Sequence, residues 1–177
     1  SGQIVYTLAP RINAAGRLGS AEAALDLLLC TDRTRAAGLA AELPRLNAER
    51  REEEDRILSQ AMDQADEQAR AGALGLVLHH ADWHPGIIGI VASRMVDEFH
   101  RPTVILRTNH DRIKGSGLSG DGFDLHAGLC CCEALFLVYA GTKLAPGLTK
   151  VYTNPQVFLV RPCHAVTEGR DHPSPHQ

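Results

Sequence analysis

The order of apolar and polar positions predicts helices in the first third of the chain. Residues 20–30 carry a serine cap and apolar residues at helical spacing, which predicts a short helix after the loop APRINAAGRLG. From residue 33 to about residue 71 an apolar stripe recurs with helical period, with Pro44 as its one interruption. We therefore predict one long helix, or two collinear ones, over this stretch.

The hydrophobic period changes after Gly72. Residues 74–80 and 103–108 are apolar runs typical of buried strands, and residues 86–99 between them have helical spacing. A third short strand leads into a glycine-rich loop at RIKGSG, residues 124–137 predict a helix, and LTKVYT and QVFLV supply late strands. The predicted fold class is α/β: a small mixed sheet with βαβ units covered by helices, preceded by a long connecting helix.

Composition agrees with one main globular domain. The chain has 177 residues, of which 44% are hydrophobic. It contains no apolar run near the roughly 20 residues that a membrane-spanning helix needs. Its first residues lack the basic-then-apolar order of a signal peptide, so we expect a cytoplasmic protein without a membrane partner.

The formal charge of −3 is distributed unevenly. Residues 49–70 alone carry −4, which leaves +1 for the rest of the chain. The charge of these remaining residues is compatible with a mildly basic face. Within this acidic stretch, Arg50 with Glu54 and Glu52 with Arg56 stand at i,i+4, which favours a solvated helix over an acidic binding site.

Clusters of histidine and cysteine do not predict a metal site. His79 and His80 are neighbours on a predicted strand and would point to opposite faces, and Cys130–Cys132 would diverge on a predicted helix. His84-Pro85-Gly86 precedes the helix of residues 86–99 and would leave free backbone N–H groups, a generic anion site. We predict no metal ligand and no catalytic residue in this chain.

Several basic and small residues could contact a phosphate. Arg94 lies with Ser93 on the polar side of the predicted helix, and from pattern alone a phosphate ligand and a surface arginine are equally good interpretations. Lys114 begins a loop of small residues, Gly115 to Ser119, where a plain turn is the alternative.

Five separated segments, taken in their order and spacing, resemble a known family. They are APRINAAGRLG, the long acidic helix, WHPGIIGIVASRMVDEFHRPTVIL, KGSGLSGDGFDLHAGL and YAGTKLAPGLT, from about Tyr6 to Thr149. The resemblance is to the RecJ-type single-strand-specific DNA exonucleases of bacteria, in the DHH phosphoesterase superfamily. It implies a two-body enzyme in which a DHH domain holds Mn²⁺ or Mg²⁺ and a long helix crosses to a DHH-associated domain. Single-stranded DNA would lie between them and be degraded 5′ to 3′ in recombination and repair.

The chain departs from the family pattern in three places. The metal-binding aspartates and the Asp-His-His motif belong to the family's other half; in LHHAD, Leu78 stands where the aspartate should be. Leu118 replaces the arginine of the family's GSGRS, and Thr142 replaces the histidine of its GGH. Losing a guanidinium–phosphate contact costs about 1.5–3 kcal/mol, so weak binding of single-stranded DNA is expected.

The resemblance divides the chain into four segments. Residues 1–32 would be a loop and short helix from the end of a DHH-type domain, 33–71 the connecting helix, 72–150 a DHH-associated-like α/β domain, and 151–177 a divergent, partly disordered tail. The implied function is the nucleic-acid-binding half of a RecJ-like exonuclease, inactive alone and without a cofactor of its own. The residues expected to bind nucleic acid are Arg11, Asn13, Arg17, Ser93, Arg94, Lys114, Gly115, Ser116, Gly117, Ser119, Gly141 and Thr142.

Other functions remain open at this point. One is a degenerate, non-catalytic interaction module or decayed gene product, and another is a fragment of a DHH-type oligonucleotide or cyclic-dinucleotide phosphodiesterase. A separate chain carrying the DHH domain, and self-association through the long helix, remain open as further partners.

Overall fold

The computed structural model describes residues 9–18, 21–108, 112–120, 122–130, 138–141 and 146–151. The chain divides into two compact units, Ser1–Leu58 and Ser59–Gln177, and the division falls inside one continuous helix.

The first unit is helical. It contains α1 (Ala9–Leu18), α2 (Ala21–Leu29) and the start of α3 (Arg33–Arg70). Its core is small: Ala15, Ala24 and Leu43 are buried, with Ile12, Leu27 and Leu46 packed against them.

The prediction of a loop at APRINAAGRLG is wrong, because Ala9–Leu18 form α1. Pro10 stands in the first turn, where its missing N–H costs no helical hydrogen bond. Ala14 and Ala15 are buried while Asn13 and Gly16 are exposed, so one face of the segment packs as a helix does. The buried face stabilises a helix in spite of the glycine and asparagine.

The long helix is a single element of 38 residues that accommodates Pro44. Asp32 caps it, since its Oδ1 accepts the Arg35 backbone N–H at 2.8 Å. The predicted pair of Arg50 and Glu54 is present, although Glu54 is buried rather than solvated. The predicted stripe is confirmed by the buried Leu43, Ile57, Ala61 and Ala65. Self-association through this helix stays a prediction.

The second unit is a mixed five-stranded sheet with the order β1-β2-β3-β5-β4. The strands are β1 (Leu76–His80), β2 (Thr103–Thr108), β3 (Arg112–Leu118), β4 (Val138–Gly141) and β5 (Pro146–Val151). β1 and β2 are parallel and joined through α4 (Ile88–Phe99), and the other pairs are antiparallel. The α/β class and the βαβ unit are confirmed.

The second half of this unit differs from the prediction. The segment KGSG and Leu118 belong to β3, so the predicted loop of small residues is wrong. Both neighbouring strands hydrogen-bond to β3, which compensates for the low strand preference of glycine. Pro146 begins β5. α5 spans Leu125–Cys130; the rest of the predicted helix, QVFLV and the tail lie outside the described residues.

α4 covers the sheet with its apolar face. Ile88, Val91, Ala92 and Met95 are buried, as their spacing predicts, and the helix packs on β2 and β3. It ends at His100, which has a left-handed backbone (φ 50°) and donates its N–H to the Val96 carbonyl.

Two glutamines of α3, Gln64 and Gln68, cover the free edge of β1. Gln68 binds both the N–H and the carbonyl of Val77, and Gln64 does the same at His79, all at 2.8–3.0 Å. One turn earlier, Gln60 accepts the indole N–H of the buried Trp83 at 2.8 Å. Four helix residues rise about 6 Å and two strand residues about 6.6 Å, so the two spacings match. We call Gln60, Gln64 and Gln68 the glutamine stripe.

Candidate nucleic-acid interface

The candidate site is built where α4 lies against β3. A Cβ added to Gly89 would lie 3.2 Å from the Ser116 Oγ, so the helix backbone closely approaches the strand. A Cβ on Gly120 would lie 3.9 Å from a methyl group of Val96, so α4 and β3 run in the same direction.

Strand alternation decides which β3 side chains share this face. Because Ser116 faces α4, Lys114 and Leu118 lie on the same face of the sheet two residues to either side. Ser116 pairs with Gly147 of β5, which is exposed. The floor beside α4 is therefore made of small residues, which leaves room for a ligand backbone.

Ser93 and Arg94 belong to the part of α4 that runs along β3. Ser93 follows Gly89 by four residues and so lies on the same side of the helix, where it is partly buried. Arg94 is exposed on the outer surface. We name the surface formed by Gly89, Ser93, Ser116 and Gly147 the α4–β3 groove.

Two predicted residues of β3, and Ser119 directly after it, are placed away from this groove. Gly115 and Gly117 alternate with Ser116 and face the other side of the sheet, and Gly117 is buried. Ser119 is also buried, and its hydroxyl donates to the Phe123 carbonyl at 3.0 Å. This geometry supports a structural role for Ser119, and its phosphate contact stays a prediction.

β4 brings Gly141 to the far side of the groove. Gly141 pairs with Pro146, and the preceding Ala140 pairs with Gly147. Gly141 is therefore one residue along β4 from the partner of Gly147, which belongs to the groove. Thr142 lies outside the described residues.

The remaining predicted contacts, Arg11, Asn13 and Arg17, belong to the first unit. All three stand on α1 rather than on a loop. Asn13 and Arg17 are separated by four residues and share one exposed face, while Arg11 is partly buried on another face. Their roles in binding nucleic acid stay predictions.

The loop before α4 does not offer the free amides that the sequence predicts. The His84 carbonyl accepts the N–H groups of Ile87 and Ile88 at 2.9 and 3.2 Å, and its Nδ1 accepts the Gly86 N–H at 3.2 Å. These bonds occupy three of the amides on which an anion site would depend, and the site itself stays a prediction.

The described residues do not fit a manganese or magnesium ion. Among them there is no group of three or more His, Cys, Asp or Glu side chains that could hold a metal. His80 accepts the Asp82 N–H through Nδ1 at 3.1 Å and stacks on Trp83, with ring centroids 5.9 Å apart. The pKa of His79 is lowered, first because burial disfavours the imidazolium and second because His80 adds positive charge nearby.

Sequence reasoning missed one residue of the groove and the glutamines at the β1 edge of the sheet. Gly147 lies in β5, and no role was predicted for it from the sequence. The glutamine stripe was overlooked because polar residues on a helix usually face water; its signal is the spacing of four residues at 60, 64 and 68.

Along the described helices, no stretch is both long and apolar enough to cross a membrane.

Comparison with known proteins identifies relatives of this chain. No family model matches it. The single-stranded-DNA-specific exonuclease RecJ of Dickeya dadantii is 37% identical over 174 residues, which cover 94% of this chain and 30% of that protein. The enzyme of the same name from Thermus thermophilus is 41% identical over 145 residues, covering 82% of this chain and 21% of the relative.

A solved structure agrees with these sequence relatives. The crystal structure of Thermus thermophilus RecJ in complex with Mn²⁺ matches with a TM-score of 0.83 and 36% identity, over 96% of this chain and 25% of that one. The chain spans 18–30% of the length of the curated relatives it matches. Identity at this level, together with the shared fold, shows that the chain belongs to the RecJ family of the DHH superfamily.

Proposed function

We propose that this chain is the nucleic-acid-binding part of a RecJ-like 5′–3′ single-stranded-DNA exonuclease that acts in recombination and repair. The relatives are named for single-stranded DNA, and two of the solved relatives were obtained with Mn²⁺ and with Mg²⁺. Single-stranded DNA is therefore the partner we assign to the α4–β3 groove.

The close approach of Gly89 to Ser116 is the observation that carries the proposal. It joins a helix bearing Arg94 to a strand bearing Lys114 beside the small residues Ser116 and Gly147. A guanidinium and an ammonium beside a glycine-rich surface suit a phosphodiester backbone, because phosphate oxygens need charged donors and close backbone approach.

By itself the chain is proposed to bind DNA without cleaving it. It matches less than a third of the length of its curated relatives, and the described residues do not fit a metal ion. Hydrolysis of a phosphodiester by this family then requires a DHH domain, supplied in the same protein or by a separate chain.

Fluorescence anisotropy tests binding directly. A labelled single strand of about 20 nucleotides would be titrated with the chain at low and moderate salt, where binding through phosphates must weaken as salt rises. Arg94→Ala should lower the affinity several-fold and reduce the slope of log affinity against log salt by about 0.7, the value for one phosphate on a single strand. Arg70→Ala, at an exposed arginine near the end of α3, is the matched control and should bind as the wild type does.

Two results would contradict the proposal. Absence of binding at low salt, or binding insensitive to both salt and Arg94→Ala, would favour a non-catalytic interaction module. Cleavage of the same strand by this chain with Mn²⁺ would show that the assignment of hydrolysis to another domain is wrong.

A further inference from the structure

A second pair of cations lies on the sheet next to the α4–β3 groove. In the register of β2 and β3, Arg107 is the direct partner of Lys114. Ile105 pairs with Ser116 in the same ladder, so Arg107 and Lys114 are on the face of the sheet that α4 covers. Lys114 is one of the phosphate contacts expected from the sequence, whereas Arg107 is not among them.

Like charges that face each other across antiparallel strands repel. Side chains of directly paired residues have Cβ atoms about 4.5–5.5 Å apart, and the repulsion destabilises the sheet unless an anion lies between them. No acidic side chain in the described ranges forms an ion pair with Arg107 or Lys114. The two positive charges are therefore not compensated by that part of the protein.

The guanidinium of Arg107 keeps most of its donors available. Its Nε donates to the Ala81 carbonyl over a long distance of 3.4 Å, which orients the side chain. The two terminal nitrogens form no hydrogen bond within the described residues, and Lys114 is exposed. A planar fork and a point charge on directly paired residues are donors suited to one phosphate.

The pair also continues the line of the groove. Lys114 precedes Ser116 by two residues, which corresponds to about 6.6 Å along the strand. Since α4 starts near the level of Ser116 and runs toward Leu118, Lys114 and Arg107 lie beyond the start of the helix. A strand in the groove that continues past the start of α4 would pass over them.

We propose that Arg107 and Lys114 form a two-cation clamp that holds one phosphate of single-stranded DNA as it leaves the α4–β3 groove. The inference rests on the proposed function and adds Arg107 to its binding residues. Because both cations contact the same phosphate, their contributions to binding are coupled.

Affinity and its salt dependence test the clamp in Arg107→Gln, Lys114→Gln and the double variant. Each single change should weaken binding of the labelled single strand several-fold, and the double change should weaken it by less than the product of the two. The salt slope of the double variant should fall by about 0.7, for one phosphate, and not by about 1.4, for two. Arg107→Lys keeps the charge and should retain the salt slope.

Thermal unfolding separates a binding role from a structural one. Removing one of two like charges relieves repulsion, so Arg107→Gln should leave the Tm unchanged or raise it. A lower Tm accompanied by weaker binding would show that Arg107 holds the sheet, and a slope change near that for two phosphates would show separate contacts; either result overturns the clamp.

The two proposals fail in different ways. If the wild-type chain does not bind the strand at low salt, the proposed function fails. If it binds and Arg94→Ala weakens it while Arg107→Gln and Lys114→Gln have no effect, the clamp alone is wrong.

Discussion

A missing side chain at Gly89 sets how closely α4 approaches β3. The 3.2 Å between an added Cβ and the Ser116 Oγ is shorter than ordinary van der Waals contact, so the serine would have to move. The groove floor thus depends on two small residues on different elements.

Gly89→Ala and Gly38→Ala form a matched pair that tests this contact. Alanine in place of a helical glycine stabilises by about 1 kcal/mol, and at Gly38 a Cβ meets nothing within 4 Å. Urea unfolding should show this gain for Gly38→Ala and a smaller one for Gly89→Ala. In a Ser116→Gly background the gain at position 89 should be restored; equal gains in the wild-type background would mean that the contact does not limit packing.

Leu118 offers a gain-of-function experiment at the residue scale. It lies two residues after Ser116, on the same face of β3, where the resembled family has an arginine. Leu118→Arg should tighten binding of single-stranded DNA about tenfold, since a charge-assisted phosphate contact contributes about 1.5–3 kcal/mol. Anisotropy measures this, with Leu118→Gln as the uncharged control; equal affinities of the two variants would place position 118 outside the DNA contact.

At the scale of elements, the glutamine stripe makes α3 a partner of the sheet. Gln64 and Gln68 each satisfy one N–H and one carbonyl of β1, as a neighbouring strand would. The boundary between the compact units, after Leu58, accordingly leaves this part of α3 with the sheet.

Gln68→Leu should destabilise the second unit. It removes the hydrogen-bond partners of the Val77 N–H and carbonyl. Leaving a buried backbone group unpaired lowers the free energy of unfolding by about 1–3 kcal/mol. Thermal unfolding and faster hydrogen exchange at the Val77 amide would report the loss. Glu67→Leu, at the exposed neighbouring position, is the control and should change neither.

Particular elements show how far the sequence predicts this fold. β2 matches residues 103–108 and α3 matches 33–71 within one residue, because both have a strong period and clear ends. α1 and the glycine-rich part of β3 were predicted as loops because glycine has a low propensity for helix and strand. In the structure, contacts with neighbouring elements stabilise both segments in spite of this low propensity. Ser93 and Ser116 of the groove were predicted from the sequence, but Gly147 and the contact of Gly89 with Ser116 require the fold.

At the scale of the whole molecule, stability should depend on pH through His79. Its pKa is lowered from the ordinary value of 6.5, chiefly by burial and then by His80. The unfolded chain therefore binds more protons between the two pKa values, so stability is full above 6.5 and falls as the pH decreases through that window.

Thermal unfolding of His79→Gln tests this dependence. Between about pH 7.5 and about pH 5.5 the Tm of the wild type should fall more than that of the variant. His100→Asn, at an exposed histidine whose left-handed backbone asparagine tolerates, is the control and should keep the wild-type dependence. Parallel curves for the wild type and His79→Gln would exclude His79 as the source.

The glutamine stripe also bears on how the protein avoids aggregation. An unpaired strand edge is a template on which another molecule can add its own strand, an early step toward insoluble assemblies. At β1 that template is occupied by side-chain amides, so recruitment of a foreign strand there first requires α3 to detach. Of the described strands, β4 forms the opposite edge, which makes it the place where protective charges or a proline would do most for solubility.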